Sequence, residues 1–211
     1  MKRCVVASGN AGKLRELASL LEPFALQAVA QGELGIDAPE EPHPTFVENA
    51  LLKARHASQL SGLPAVADDS GICVPALGGR PGVYSARFAA RAGLPGGDAA
   101  NNNYLVEELK ALNGVGDNST AWSAFYVCVI VWLEHATDPL PIIALETWQG
   151  RIVAEPVGEE GFGYDPHFWL PELQQTAAQL TRDEKNRLSH RGRAMRSLQA
   201  QLAARVSVAD G

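Results

Sequence analysis

Arg3-Cys4-Val5-Val6-Ala7-Ser8-Gly9-Asn10-Ala11-Gly12-Lys13-Leu14 carries an apolar run into a polar, glycine-containing turn and on toward a leucine-bearing segment. Arg3 to Ala7 reads as a buried strand, because the apolar side chains are β-branched or small and show no helical spacing. Beyond the turn, Leu14, Leu17, Leu20 and Leu21 share one helical face. The stretch is therefore a strand, loop and helix in sequence, the building block of an α/β fold.

The rest of the chain repeats that grammar. Pro39, Pro42 and Pro44 interrupt an acidic segment, after which Thr45-Phe46-Val47-Glu48 is a capping box that opens a helix to about Leu60. Its apolar stripe is Val47, Ala50, Leu51, Ala54 and Ala57; Thr45, Asn49, Lys53 and His56 form a polar stripe on another face. Leu63 to Ala67 reads as a short buried strand ending at Asp68-Asp69-Ser70-Gly71. Residues 98 to 112 read as a helix. Ala121 to Leu133 and Pro141 to Trp148 read as long strands, the second resuming at Gly150 to Val153 after a break. A last helix is expected from about Lys185 to Val206. Arg91 to Asp98 and the Asn101 to Asn103 run read as a surface loop and helix start, away from every site motif. The expected architecture is α/β around a mixed, mainly central sheet, a single domain over residues 1 to 211 in two lobes with a cleft between them.

Composition bounds the function. In 211 residues, 18 basic side chains stand against 24 acidic ones, and 46% of residues are apolar, which excludes a disordered chain. The longest apolar run, Ala124 to Leu133, is half of the roughly 20 residues that a membrane helix needs. The start resembles no secretory leader, so a cytoplasmic location is expected and no membrane partner. Cys4, Cys73 and Cys128 lack metal-type spacing and read as core residues. The net charge of −6 hides an asymmetry: residues 181 to 196 carry six Lys/Arg and two acids, whereas Glu33, Asp37, Glu40, Glu41 and Glu48 lie in a stretch without Lys or Arg. Such islands suit a small polyanion held partly through a cation better than a nucleic-acid polymer, although two solvated surface segments would look the same.

Four segments can carry chemistry. Ser8 to Lys13 joins a strand to a helix, where free amides and Lys13 favour a phosphate; it is not a P-loop, since only two residues separate Gly9 from Gly12. It also reads as an ordinary strand-to-helix turn. Asp68-Asp69 at a strand end presents carboxylate oxygens to Mg²⁺, the two side chains pointing to opposite sides, or is plain turn chemistry. Gly161-Phe162-Gly163-Tyr164-Asp165-Pro166 offers a ring for stacking on a base, or is a glycine-rich turn with core aromatics. Lys185, His190 and Arg191 converge only if the helix entry there is irregular.

Taken in order, Ser8-Gly-Asn-x-Gly-Lys13, Thr45-Phe-x-Glu-Asn-Ala-x-x-Lys-Ala54, Ala67-Asp-Asp-Ser-Gly71, Leu77-Gly-Gly-x-Pro-Gly-x-Tyr-Ser-Ala-Arg87, Gly161-Phe-Gly-Tyr-Asp-Pro166 and Ser189-His-Arg-Gly192 closely resemble the inosine triphosphate pyrophosphatase family over nearly the whole chain. The resemblance implies a Mg²⁺-dependent hydrolase that converts dITP, ITP and XTP to monophosphate and pyrophosphate. It also implies a homodimer of elongated, two-lobed α/β subunits with the active site in the cleft. By the same resemblance Ser8, Gly9, Asn10, Ala11, Gly12 and Lys13 would hold the triphosphate, with Lys53 in support. Asp69 would be the catalytic carboxylate and a metal ligand. Glu40 would be a second ligand, with Glu41 less favoured. Ser70 would touch the nucleotide, Phe162, Gly163, Tyr164 and Asp165 would hold the base, and Lys185, His190 and Arg191 would complete the pocket. A nucleotide-binding sensor without turnover needs the same phosphate loop and aromatic turn, but not the acidic site.

Overall fold

The computed structural model describes residues 2–9, 11–113 and 121–209. β1 (Lys2–Val6) leads into α1 (Ala11–Leu21), and the chain returns as β2 (Leu26–Ala30), parallel to β1 with Cys4 opposite Ala28. α2 (Phe46–Ser61) precedes β3 (Ala65–Cys73), which is parallel to β1 on its other side. The single turn α3 (Phe88–Arg91) and α4 (Asp98–Asn113) follow, then β4 (Ala121–Leu133) and β5 (Ile142–Val153). The short antiparallel strands β6 (Phe168–Leu170) and β7 (Gln175–Thr176) and the helices α5 (Arg182–Leu188) and α6 (His190–Ala209) complete the chain. The seven strands form one mixed sheet in the order β2-β1-β3-β4-β5-β6-β7, the α/β class that the opening stretch implies. Among the described residues no helix is long and apolar enough to cross a membrane.

The chain forms two compact units, each with its own core. The first comprises Met1–Asp69, Cys128–Glu146 and Arg193–Gly211. Its core joins Cys4 and Val6 of β1 to the α1 stripe Leu17, Leu20 and Leu21, the β4 residues Cys128, Ile130 and Trp132, and Leu198 and Leu202 of α6. The second comprises Ser70–Val127 and Thr147–Gly192. Its core is more aromatic: Phe88, Trp122, Tyr126, Trp148, Tyr164 and Phe168 pack with Leu105 and Leu109 of α4. All three cysteines are buried.

Several expectations are corrected. β3 does not end at Asp68 but runs on to Cys73, because the buried Asp68 and Asp69 each pair with a lysine and no turn is needed to solvate them. β2 carried no strong strand signal, being a short edge strand with alanine at two of its positions. β5 passes unbroken through Gly150: a Cβ there would lie 2.5 Å from the Phe168 ring and 2.8 Å from the Trp169 carbonyl, so the glycine admits β6 rather than interrupting β5. The last helix is two helices, divided at Ser189, whose backbone is extended.

Candidate active site

In the first unit the strand–loop–helix stretch forms one wall of a pocket of ≈ 160 Å³, to which Ser8, Gly9, Lys13, Glu41, Lys53 and Asp68 contribute. Ala7 is still tied to β3 through its N–H on the Val66 carbonyl at 2.9 Å, so the chain leaves the sheet at Ser8. From the polar stripe of α2, Lys53 lines the same pocket. Thr45 caps this helix by accepting the Glu48 N–H, as the capping box predicts. Asn49, fully buried, accepts the His43 N–H and donates to the His43 carbonyl, both at 3.1 Å, and a His56 ring nitrogen lies 3.0 Å from the Asp37 carbonyl. Those contacts lay the acidic segment along the helix and bring Glu41 Oε1 to 2.9 Å from Lys53 Nζ. Glu40, the favoured ligand of the sequence reading, is exposed and is not among the residues lining the pocket; Glu41 is.

The two aspartates of β3 point to opposite sides, as extended backbone requires, and meet different lysines. Asp68 Oδ2 lies 2.7 Å from Lys13 Nζ, and Asp69 Oδ1 lies 3.1 Å from Lys53 Nζ. The second oxygen of Asp69, Oδ2, is buried without a hydrogen-bond partner. Burial raises the Asp69 carboxyl above its ordinary value, the charge and hydrogen bond of Lys53 oppose that, and Glu41 and Asp68 add to it. For Lys53, burial pulls downward, but Asp69, the Glu41 hydrogen bond and the Asp68 and Glu41 charges outweigh it, and the ammonium is held above its ordinary value. Two lysines thus face three carboxylates, an excess of one negative charge beside the unpartnered Asp69 Oδ2. A hard divalent cation answers both deficits.

In the second unit the aromatic turn is organised by Asp165, which is 2% exposed. Its Oδ2 accepts the Phe162 N–H at 2.9 Å and a hydrogen bond from Lys185 Nζ, and its Oδ1 accepts the Tyr126 hydroxyl at 3.3 Å. Gly161, at φ +83°, is required here: any side chain would run into the Asp165 carboxylate. Burial, and then the charge of Asp165, push the Tyr126 phenol well above its ordinary value, so it remains a hydrogen-bond donor. Phe162, by contrast, is 58% exposed, with Lys185 Nζ 4.7 Å and Arg191 Cζ 5.7 Å from its ring centroid. His190 stacks on Tyr126 at 4.7 Å and 7°, and Arg191 donates to Ser70 Oγ at 3.2 Å. The break at Ser189 supplies the irregular entry that lets Lys185 and Arg191 reach one ring.

Within the first unit the structure therefore gathers Ser8, Gly9, Lys13, Lys53 and Asp69 with Glu41. Within the second it gathers Ser70, Phe162, Asp165, Lys185, His190 and Arg191. Asn10 lies outside the described residues. Gly12 and Ala11 open α1. Tyr164 is buried and donates to the Ser85 carbonyl at 2.8 Å, which makes it an anchor of the turn, and Gly163 is held by α4. Two functional neighbours carried no sequence signal. Gln31 lines the first pocket with its Oε1 buried and unpartnered. Tyr126 sits in a strand whose continuous apolar character masks the one hydroxyl that matters. The reading of Asp98 and Asn101 to Asn103 as remote from the site is also overturned. Asp98 and Asn102 bond Gly163, while Asn101 accepts from the Ala89 N–H and donates to the Ala86 carbonyl.

Comparison with known proteins places this geometry in context. A profile of the Ham1 family matches residues 4–201. The dITP/XTP pyrophosphatase of Nitrosomonas europaea is 55% identical over 208 residues, covering 99% of this chain and 98% of the relative. That of Ralstonia nicotianae is 59% identical over 198 residues, covering 94% and 95%. Among solved structures, a HAM1 protein from Coxiella burnetii superposes with a TM-score of 0.88 at 43% identity, covering 97% of this chain and all of the other. The Staphylococcus aureus Ham1 protein gives 0.84 at 35%.

Proposed function

The chain belongs to the Ham1 family, and from that premise we propose that it hydrolyses deaminated purine nucleoside triphosphates (dITP, XTP and ITP) to monophosphate and pyrophosphate with Mg²⁺. The observation that carries the reading is Asp69: a buried carboxylate with one oxygen on Lys53 and the other unpartnered, beside a pocket that two lysines and the start of a helix make suitable for phosphates.

The residues fit the metal. Among the described residues no three His, Cys, Asp or Glu side chains are clustered as a ready cage. Mg²⁺ needs none, since it typically takes one or two carboxylates, substrate phosphates and water. Asp69 would hold it together with a glutamate of the 40–41 pair, Glu41 being the one already in the pocket. When bound, the cation neutralises charge that builds on the phosphate oxygens.

The protein's own groups supply the rest. The start of α1, with the Ser8 hydroxyl and Lys13 beside it, binds the triphosphate. Water attacks the α-phosphorus: the new O–P bond forms as the bond to the bridging oxygen breaks, and pyrophosphate leaves with the electron pair. Lys13 and Lys53 stabilise the charge developing on it. The proton of the attacking water passes to Asp69 Oδ2 or, where that oxygen holds the cation, to solvent. The base stacks on Phe162, and Asp165, Lys185, His190, Arg191 and Ser70 enclose the nucleotide. Because the Phe162 and Gly163 N–H groups already donate to Asp165 and Asp98, a side chain such as His190 reads the 6-keto oxygen. Adenine presents a donor there and leaves that group unpaired. A homodimer acting in the cytoplasm belongs to the same reading and rests on the family resemblance.

The test is product identity. With dITP and Mg²⁺ the protein releases pyrophosphate, and chelation stops it. Orthophosphate as the first product would replace this reading with cleavage at the γ-phosphate.

A further inference from the structure

Helix α4 grips the aromatic turn at a single residue from two sides. The Gly163 N–H donates to Asp98 Oδ2 at 2.7 Å, and the Gly163 carbonyl accepts from Asn102 Nδ2 at 2.8 Å. Asp98 and Asn102 are four residues apart and share a helix face, so one rigid element holds both backbone polar groups of Gly163. Asn101, between them, ties the same helix to the Ala86 to Ala89 segment, which gives the grip a fixed base.

Packing does not hold this residue. Gly163 adopts φ +64°, and a Cβ built on it would meet nothing within 4 Å. The ring that precedes it is 58% exposed. A glycine in open space has the widest conformational freedom of any residue, and an exposed ring contributes little burial to restrain it. The two hydrogen bonds from α4 therefore define where the turn sits at its centre, while Asp165 and Tyr164 define it at the C-terminal side.

We propose that Asp98 and Asn102 are positioning residues for base selection: they set the backbone of Gly163, and through it the plane of the Phe162 ring on which the base stacks. Neither touches the nucleotide. The inference rests on reading this turn as the base site.

Steady-state kinetics with dITP and dATP, together with hydrogen exchange of the 160–166 segment, tests it. Asp98→Ala and Asn102→Ala each raise KM for dITP about tenfold, the value of one such hydrogen bond, with kcat within about twofold of wild type. Discrimination against dATP narrows in both. Asp98→Asn keeps a carbonyl acceptor for the Gly163 N–H and restores most of the loss. Asn102→Asp sets two acceptors against each other and is worse than Asn102→Ala. Exchange in the segment speeds up in the alanine variants and recovers in Asp98→Asn. Lowered thermal stability with KM, discrimination and exchange unchanged overturns the proposal, and so does a fall in kcat alone. If the wild-type protein released no pyrophosphate, the functional reading would fail by itself, while exchange would still report whether α4 holds the turn.

Discussion

Asp69 and Asp165 are both buried aspartates bonded to a lysine, one in each unit, yet their carboxylates are used differently. Asp69 spends one oxygen on Lys53, which it shares with Glu41, and keeps the other unpartnered. Asp165 has both oxygens occupied, by the Phe162 N–H, Lys185 and the Tyr126 hydroxyl. A buried oxygen with nothing to accept costs free energy and persists where a cation or a proton is to be received. A saturated carboxylate gains nothing from further ligands and acts as a fixed post. One carboxylate keeps an open oxygen, which the proposed chemistry uses; the other is completed for shape.

The largest test of that contrast is Asp69→Asn. It removes the charge and the basic oxygen while preserving volume, and it lowers kcat by about 10² or more with nucleotide binding largely retained. Binding is read by titration and turnover by pyrophosphate release. Wild-type turnover in this variant would dissolve the distinction, and a nucleotide sensor would be indifferent to the change.

Asp165→Asn strikes the saturated post. Lys185 loses its buried countercharge, so kcat/KM falls about tenfold, chiefly through KM, and the melting temperature drops. A loss confined to kcat would mean that Asp165 takes part in the chemical step and that the two aspartates are alike after all.

A smaller effect separates the adjacent glutamates. Glu41→Gln raises the Mg²⁺ concentration for half-maximal activity about fivefold, whereas Glu40→Gln, on an exposed side chain, leaves it nearly unchanged. The reverse order would return the ligand to Glu40 and show that the acidic segment shifts when the metal binds.

The smallest test compares the cores. Burial, then the Glu134 charge, pushes the Cys4 thiol up to about 12, and burial pushes Cys73 up to about 11. Only the thiolate reacts, so iodoacetamide at alkaline pH labels Cys73 roughly tenfold faster than Cys4 in the folded protein. Both folded values lie above the ordinary 9.0, so as pH rises past it the unfolded chain loses these protons first and stability declines. Faster labelling of Cys4 would show that the first unit opens more readily than the second.

Much of the fold was legible because its signals are local. The α1 leucine stripe, the Thr45 capping box and the run of β4 each declare themselves within a few residues, over which backbone geometry alone relates the side chains. The misreadings share a cause. Asp-Asp-Ser-Gly is good turn chemistry until a lysine pairs with each aspartate; Gly150 looks like a break until a phenylalanine occupies the space of its missing Cβ. Asn102 looks like a surface residue until a carbonyl 61 positions away needs a donor.

The sequence by itself determined the class of fold and the strand, loop and helix that open it, because spacing along the chain carries those directly; it marked the acidic pair and the aromatic turn as segments and left their roles to the family resemblance. Tertiary structure alone decided that Glu41 rather than Glu40 meets Lys53, that Asp69 keeps an oxygen unpartnered, and that α4 holds Gly163. Such pairings close loops of 12 to 65 residues, and a hydrogen bond made across so much chain exists only when the packing of everything between has fixed its two ends.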